Sequence, residues 1–400
     1  MPIHTLKAGR TLIVNGPASI RLLEGRASIL ACPLTLKKQI VVKSWRSRPV
    51  YAHEDSDIEY AFGEGGSIEE VEGNTIPLEW IKTVEDLSNE EKLTLMVLGS
   101  SDSGKTSLAT LAINTILVKR RGCVFLDLDV GQSSICPPTT IGYVYMKNPI
   151  PDISYMRAES TEVVGYTSPS PILSKHITSI EKLYNALKSK YPDQHIVVDV
   201  DGWVSGEGAA QHKKELVKML NITHLLILGE VPRELEEPFS EGSVEIKKLP
   251  PPIMVRKRSL DARKRLREMM YEKFLRKSML KTIPISWVEV KYVTGEGRVQ
   301  KISSIINKLI RLFSEDKNIV VENGLEEVSR MFKAGILSYI YDVNYRYSGI
   351  GLMTLFDLKK NLLKIYTPFR SQVKQIVLSS ILVSIDGSEL YSIRPQALEP

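Results

Sequence analysis

The 400 residues, 43% hydrophobic and 25% charged, are enough for two or three domains with sizeable cores. Lysine and arginine outnumber aspartate and glutamate by 53 to 47, so the formal charge of +6 does not make the whole chain a polycation, and its location matters more than its size. Cys32, Cys123 and Cys136 form neither a CxxC pair nor a metal-ligand spacing, and no apolar run approaches about 18 residues, which argues against disulfide scaffolds, zinc ribbons and membrane spans. The first residues, MPIHTLKAGR, have no apolar core for a signal peptide, so a soluble protein of the reducing cytoplasm is expected.

In chain order, residues 3 to 80 read as β structure. Apolar or alternating runs at 11–14, 18–23, 27–30, 39–42 and 57–61 are separated by Gly9, Gly16-Pro17, Gly25, Pro33 and Gly63-Glu64-Gly65-Gly66, predicting a small sandwich or barrel. The glycine run precedes no helix and reads as a turn. Residues 80–92 turn polar and suit a linker helix. Leu93 to Leu98 is an apolar strand, followed by Gly99-Ser100-Ser101-Asp102-Ser103-Gly104-Lys105-Thr106, which fits G-x-x-x-x-G-K-[ST]. Gly99 and Gly104 let backbone N–H groups curl toward a phosphate, and the helix from Ser107 to Arg120 adds its positive end. Lys105 can reach the β- and γ-phosphates and the Thr106 hydroxyl can ligate Mg²⁺, so the chain is expected to bind a nucleoside triphosphate.

Strand 123–128 runs into Asp127-Leu128-Asp129-Val130-Gly131-Gln132, with two carboxylates at the end where open α/β sheets collect ligands. Residues 137–175 read as loop-rich, then comes a helix over 176–190. A buried strand over 195–200 ends in Asp199-Val200-Asp201-Gly202-Trp203, before a helix over 209–220 and a strand over 224–228. This alternation predicts an α/β unit, a parallel sheet flanked by helices. Arg256, Lys257, Arg258, Arg263, Lys264, Arg265 and Arg267 then crowd a stretch whose one acid is Asp261, and whose pattern beyond Ser259 is helical. Such a run is ordinarily a solvated face, but beside a phosphate loop its guanidinium forks suit a transferring phosphoryl group. Strand 287–293 and helix 302–313 lead to a boundary at Asp316-Lys317-Asn318. Strands over 335–341, 349–356, 362–366 and 381–385, around a short helix over 371–378, carry no catalytic constellation.

A phosphate loop alone spans ATPases, GTPases and kinases; the absent N-K-x-D signature weakens the GTPase reading. Of Asp127 and Asp129, one can hold Mg²⁺ through water and the other can accept a proton from an attacking hydroxyl. Trp203 is either a core tryptophan or a stacking plate for a base.

The runs G-S-S-D-S-G-K-T, D-L-D-V-G-Q, D-G-W-V-S-G-E-G and R-S-L-D-A-R-K-R-L-R, in this order and spacing, resemble those of the RNA 5′-hydroxyl polynucleotide kinases. That family includes the kinase subunit of the pre-mRNA cleavage and tRNA-splicing machinery, the nucleolar pre-ribosomal RNA kinase and archaeal stand-alone members. The β-rich start, G-R-T-L-I-V-N-G-P-A, and end, L-L-K-I-Y-T-P, extend the resemblance to the whole chain. It implies a β-rich domain over 1–82, a P-loop kinase domain over 83–314 with a lid near 255–277, and a β-rich domain over 315–400. It further implies transfer of the ATP γ-phosphoryl to the 5′-hydroxyl of RNA and possibly DNA, with Mg²⁺ and RNA-processing protein partners and without a membrane.

By the same resemblance, Gly99, Ser100, Ser101, Asp102, Ser103, Gly104, Lys105, Thr106 and Ser107 hold the nucleotide, and Asp102 orients the metal shell or the acceptor. Asp129 is the general base, Asp127 supports it, and both lie with Thr106 at the metal. Gln132 and Thr167 contact acceptor or phosphate, Trp203 clamps the terminal base, and Arg263 and Arg267 stabilise the moving phosphoryl group with Arg258 nearby. Val200 stands where the family carries threonine in T-x-G-W, which bears on acceptor contact more than on the phosphate loop. Two other readings are an ATP-bound scaffold subunit and a small-molecule kinase.

Overall fold

The computed structural model describes residues 1–119, 122–206, 208–236, 244–253, 258–294 and 299–398. Arg120, Glu207, Arg256, Lys257 and the first residues of the expected lid, 255–257, lie outside the described residues. The chain packs as two compact units: Met1–Asp129, Tyr143–Glu159 and Tyr184–Arg258 form one, and Val130–Gly142, Ser160–Leu183 and Ser259–Pro400 the other.

The first unit opens with two antiparallel sheets. One orders Ile3–Leu6, Ser56–Phe62, Ala18–Glu24 and Gln39–Val42; the other orders Cys32–Pro33, Ala27–Ile29, Ser47–Ala52, Arg10–Asn15 and Ser67–Glu72. Along Ala18–Glu24 the side chains of Ala18, Ile20 and Leu22 are buried and those between them are not, the period of two expected of a strand with one face on a core. Leu12, Val14, Ile29 and Val50 from the other sheet join the same core, so the segment is a sandwich. The run from Gly63 to Gly66 is a turn closed by Gly66 N–H donating to the Gly63 carbonyl at 3.0 Å.

Five parallel strands of this unit follow in the order Cys123–Asp127, His195–Asp199, Thr94–Gly99, His224–Leu228 and Glu245–Leu249. Every residue of the first three is buried, as a sheet covered on both faces requires. Parallel running brings their carboxyl ends to one edge, where Asp127 stands beside Asp199 in register. The helix Lys105–Val118 is apolar nearly all round, and its buried Asn114 donates to the carbonyls of Leu30 (2.7 Å) and Ile150 (2.9 Å). That amide ties the helix to Leu30 of the sandwich and to Ile150, with both of its donors met.

In the second unit a sheet orders Met279–Pro284, Leu362–Thr367, Tyr347–Asp357, Ala334–Tyr341, Gln375–Ser384 and Glu289–Tyr292. Its first and last strands come from before the expected boundary at 314. Helix Val299–Lys317 buries Ile302, Ile305, Ile306, Leu309, Ile310 and Phe313 against the core at spacings of three and four.

Two expectations are corrected. Of the helix expected over 371–378, residues 371–374 are irregular and 375–378 open strand Gln375–Ser384, whose early residues alternate between buried and half-buried, a strand period that outweighs any helical spacing there. The stretch 137–175 contains strands Thr140–Met146 and Ser160–Val163; the first, TIGYVYM, is rich in β-branched and aromatic residues, a signal overshadowed by the flanking prolines. The three cysteines are free and buried. Among the described residues no helix is long and apolar enough to cross a membrane.

Candidate active site

The phosphate loop lies between the strand Thr94–Gly99 and the helix Lys105–Val118. Gly104 has φ +100°, and a β-carbon there would meet Pro252 Cγ at 3.0 Å and Trp80 Cη2 at 3.1 Å, so conformation and space both demand glycine. Trp80 is itself buried, and its indole N–H donates to the Pro250 carbonyl at 2.9 Å. The loop closes on itself through Ser103 N–H to the Ser100 carbonyl, 3.2 Å.

Lys105 is only 7% exposed and its Nζ donates to the Ser100 carbonyl at 2.8 Å. Burial pushes its ammonium below the ordinary range, while the carboxylates of Asp199, Asp129 and Asp201 pull it back up. The Thr106 hydroxyl donates to Asp199 Oδ2 at 2.6 Å. Asp199 is buried, and its Oδ1 has no hydrogen-bond partner among the described residues. Burial raises its carboxyl from 3.8 to about 7, against the opposing pull of Lys105 and of the Thr106 hydrogen bond. No role is assigned to Asp199 from the sequence, yet it is the carboxylate that Thr106 touches.

Asp127 and Asp129 are not equivalent. The strand ends at Asp127, which is buried and whose Oδ1 accepts the Asp129 N–H at 3.2 Å, while Asp129 is half-buried. Asp102 adopts φ +62°, and its two oxygens take the Arg258 guanidinium (3.1 Å) and the Arg258 N–H (3.2 Å). The carboxylate expected to orient a metal shell or an acceptor therefore fastens the residue just ahead of the basic helix.

Gly202 brings the D-G-W segment against the loop. A β-carbon on it would lie 2.3 Å from Ser101 Oγ and 2.6 Å from Ser101 N, so any larger residue would force the two segments apart. Trp203 follows, half-buried, with its ring 5.6 Å from that of His212 at a 32° tilt. Asp201 accepts the Trp203 N–H at 2.8 Å with one oxygen and pairs with Lys213 at 2.8 Å with the other, and Lys213 is fully buried. A readable signal for this pair exists. Along Ala209–Met219 the buried positions are Ala209, His212, Lys213, Leu216 and Val217, so a lysine falls on the apolar stripe and needs a buried acid.

The remaining expected site residues belong to the second unit. The helix Leu260–Leu275 is capped by Ser259, whose hydroxyl accepts the Ala262 N–H at 3.1 Å. Gln132 donates to the Arg263 carbonyl at 3.0 Å, and Arg263 and Thr167 are half-buried. Arg267 is held by Glu389 through Nε (2.9 Å) and Nη2 (3.1 Å).

Residues 99–277 match the family model described as mRNA cleavage and polyadenylation factor CLP1 P-loop. The chain is 25% identical over 329 residues to a polyribonucleotide 5′-hydroxyl-kinase of Methanocaldococcus jannaschii, covering 76% of this chain and 90% of that protein. It is 26% identical over 352 residues to one of Thermococcus kodakarensis, covering 81% and 97%. In fold it is similar to Clp1p solved in complex with Pcf11p: TM-score 0.69 at 14% identity, over 95% of this chain and 97% of that one.

Proposed function

We infer that this chain, which belongs to the RNA 5′-hydroxyl polynucleotide kinase family, transfers the γ-phosphoryl group of ATP to the 5′-hydroxyl end of RNA. The observation that supports the reading is the close approach of Gly202 to Ser101, because the next residue, Trp203, is then available as an aromatic plate near a phosphate loop. A phosphate loop alone serves many chemistries; one with a base platform next to it suits a nucleic-acid acceptor.

In this reading Lys105 gives up the Ser100 carbonyl for the β- and γ-phosphates. The residues fit a magnesium ion: Thr106 offers a hydroxyl, and Asp199 offers a buried oxygen with no partner among the described residues, both hard donors. Asp127 and Asp129, close by on the same segment, would help to hold such an ion. Bound there, the ion would neutralise charge on the transferring group. Asp129, the half-buried carboxylate, takes the proton of the 5′-hydroxyl as its oxygen attacks the γ-phosphorus in line and the bond to the β-phosphate oxygen breaks, releasing ADP. Gln132, Thr167 and Arg263 are carried into acceptor and phosphoryl contact by the family pattern. Fixed charges aimed at the transferring group, rather than covalent chemistry, supply most of the acceleration.

The test is transfer from labelled ATP to 5′-hydroxyl RNA, 5′-hydroxyl DNA and a free nucleoside. Transfer to oligomers is expected; transfer to the nucleoside alone would make this a small-molecule kinase, and transfer to none a nucleotide-bound scaffold. Trp203→Ala is expected to raise the acceptor KM about tenfold, since stacking is worth about 1–3 kcal/mol per base, with ATP affinity near wild type. A fall in ATP affinity alone would move Trp203 into the nucleotide site.

A further inference from the structure

The contacts of the basic helix divide its arginines. Arg267 offers Nε and Nη2 to the two oxygens of Glu389, the bidentate arrangement in which a guanidinium matches a carboxylate. The side chains are 18% and 9% exposed, so the pair is largely withdrawn from water. Glu389 also donates its own N–H to Glu268 Oε1 at 3.1 Å. Just before it, Gly387 has φ +94°, and a β-carbon there would stand 2.7 Å from the Glu268 carbonyl oxygen and 2.8 Å from the Glu272 nitrogen. The turn ahead of strand Glu389–Ser392 thus lies directly on the helix backbone, where only glycine fits. One turn further along, Tyr271 is fully buried beside the pair, so the pair sits against the core and not in bulk water. A guanidinium whose matching edge is already taken by a buried carboxylate is poorly placed to fork around a phosphoryl group.

We propose that Arg267 and Glu389 form a positioning pair, by which the C-terminal sheet seats the basic helix and sets the placement of Arg263 one turn earlier; Arg267 is not itself a phosphoryl contact. This rests on the kinase reading, in which the helix serves the transferring group. It gives the C-terminal sheet a task in a reaction for which it supplies no catalytic residue.

The test is a charge exchange in the full chain: Arg267→Glu, Glu389→Arg and the two together, each measured for kcat, for KM toward ATP and RNA, and for thermal unfolding. Each single substitution sets two like charges against each other in a largely buried place, so each is expected to lower Tm and to cut kcat at least about tenfold. The exchanged pair is expected to recover Tm and to return kcat to within about threefold of wild type, because the pairing rather than the guanidinium is what matters. Recovery of Tm with kcat still as low as in Arg267→Glu would overturn the proposal and make Arg267 a phosphoryl contact. Single variants with wild-type kcat would overturn it too.

Should the exchanged pair fail to fold, Arg267→Met with Glu389→Leu keeps the volume without the charges. Transfer within about tenfold of wild type is then expected, since apolar replacement of a buried pair is often tolerated, and a folded but inactive protein refutes the pair's role. A wild-type chain without transfer removes the kinase reading and with it the positioning role in transfer, while the thermal cycle still reports whether the two residues are coupled.

Discussion

Replacing Asp199 by asparagine is expected to make the ligand-free protein more stable and phosphoryl transfer at least about 100-fold slower, the scale of losing one electrostatic contact to a transition state. Asparagine keeps an oxygen for the Thr106 hydroxyl, which now donates to Asp199 Oδ2 at 2.6 Å, but removes a buried charge. The stability effect has a definite sign with pH. The folded chain releases the Asp199 proton at about 7, whereas the ordinary value is 3.8. Between those two values the folded chain holds a proton that the unfolded chain has lost, so stability drops as pH climbs through the window. The advantage of the asparagine variant is accordingly absent below about pH 4, grows across the window and is complete above about pH 7. Unfolding midpoints of both proteins at pH 5, 6, 7 and 8, without nucleotide or metal, check this. A difference in midpoint that does not change with pH would mean that Asp199 is already ionised at pH 5. Saturating Mg²⁺ should narrow the gap from the wild-type side, since the ion supplies the counter-charge.

Lys105→Ala is expected to lower transfer about a thousandfold or more while the protein remains folded, since phosphoryl transfer depends on fixed positive charge at the transferring group. The amine is 7% exposed and lies among Asp199, Asp129 and Asp201, so its loss removes the cation that offsets them. Two measurements separate its effects. ATP affinity by calorimetry should weaken, and the Asp199 titration seen in the unfolding midpoints should move to higher pH, because the largest interaction opposing its elevation is that of Lys105. Transfer within tenfold of wild type would remove the phosphate loop from the mechanism. A collapse of the fold would instead mean that the amine is chiefly a structural neutraliser of three acids.

The parts legible from sequence are those where one local pattern decides the outcome. The phosphate loop follows from two glycines, a lysine and a threonine at fixed spacing, and the buried parallel strands from short unbroken apolar runs such as Val124 to Leu126. Asp199 is harder to single out. Asp127 and Asp199 both terminate neighbouring strands, each followed two residues on by another aspartate, and the reach of Thr106 to Asp199 is what distinguishes them. The pair of Asp201 and Lys213 joins residues twelve apart through a buried contact, and only the stripe position of Lys213 hints at it. The early C-terminal strands Met279–Pro284 and Glu289–Tyr292 are short and find their partners some eighty residues later, so local spacing carries little of that pairing.

Trp80 has a practical consequence for engineering. It reads as the start of a polar connection, yet its indole forms one wall beside Gly104 and ties to Pro250 on the far side of the sheet sequence. Any excised or grafted nucleotide-binding module that begins at the first phosphate-loop strand would leave that wall behind, and the left-handed glycine would keep Pro252 but lose the indole. A portable version should therefore carry Leu78–Leu87 along with it, and a chimera that exchanges this helix should respond first in triphosphate affinity.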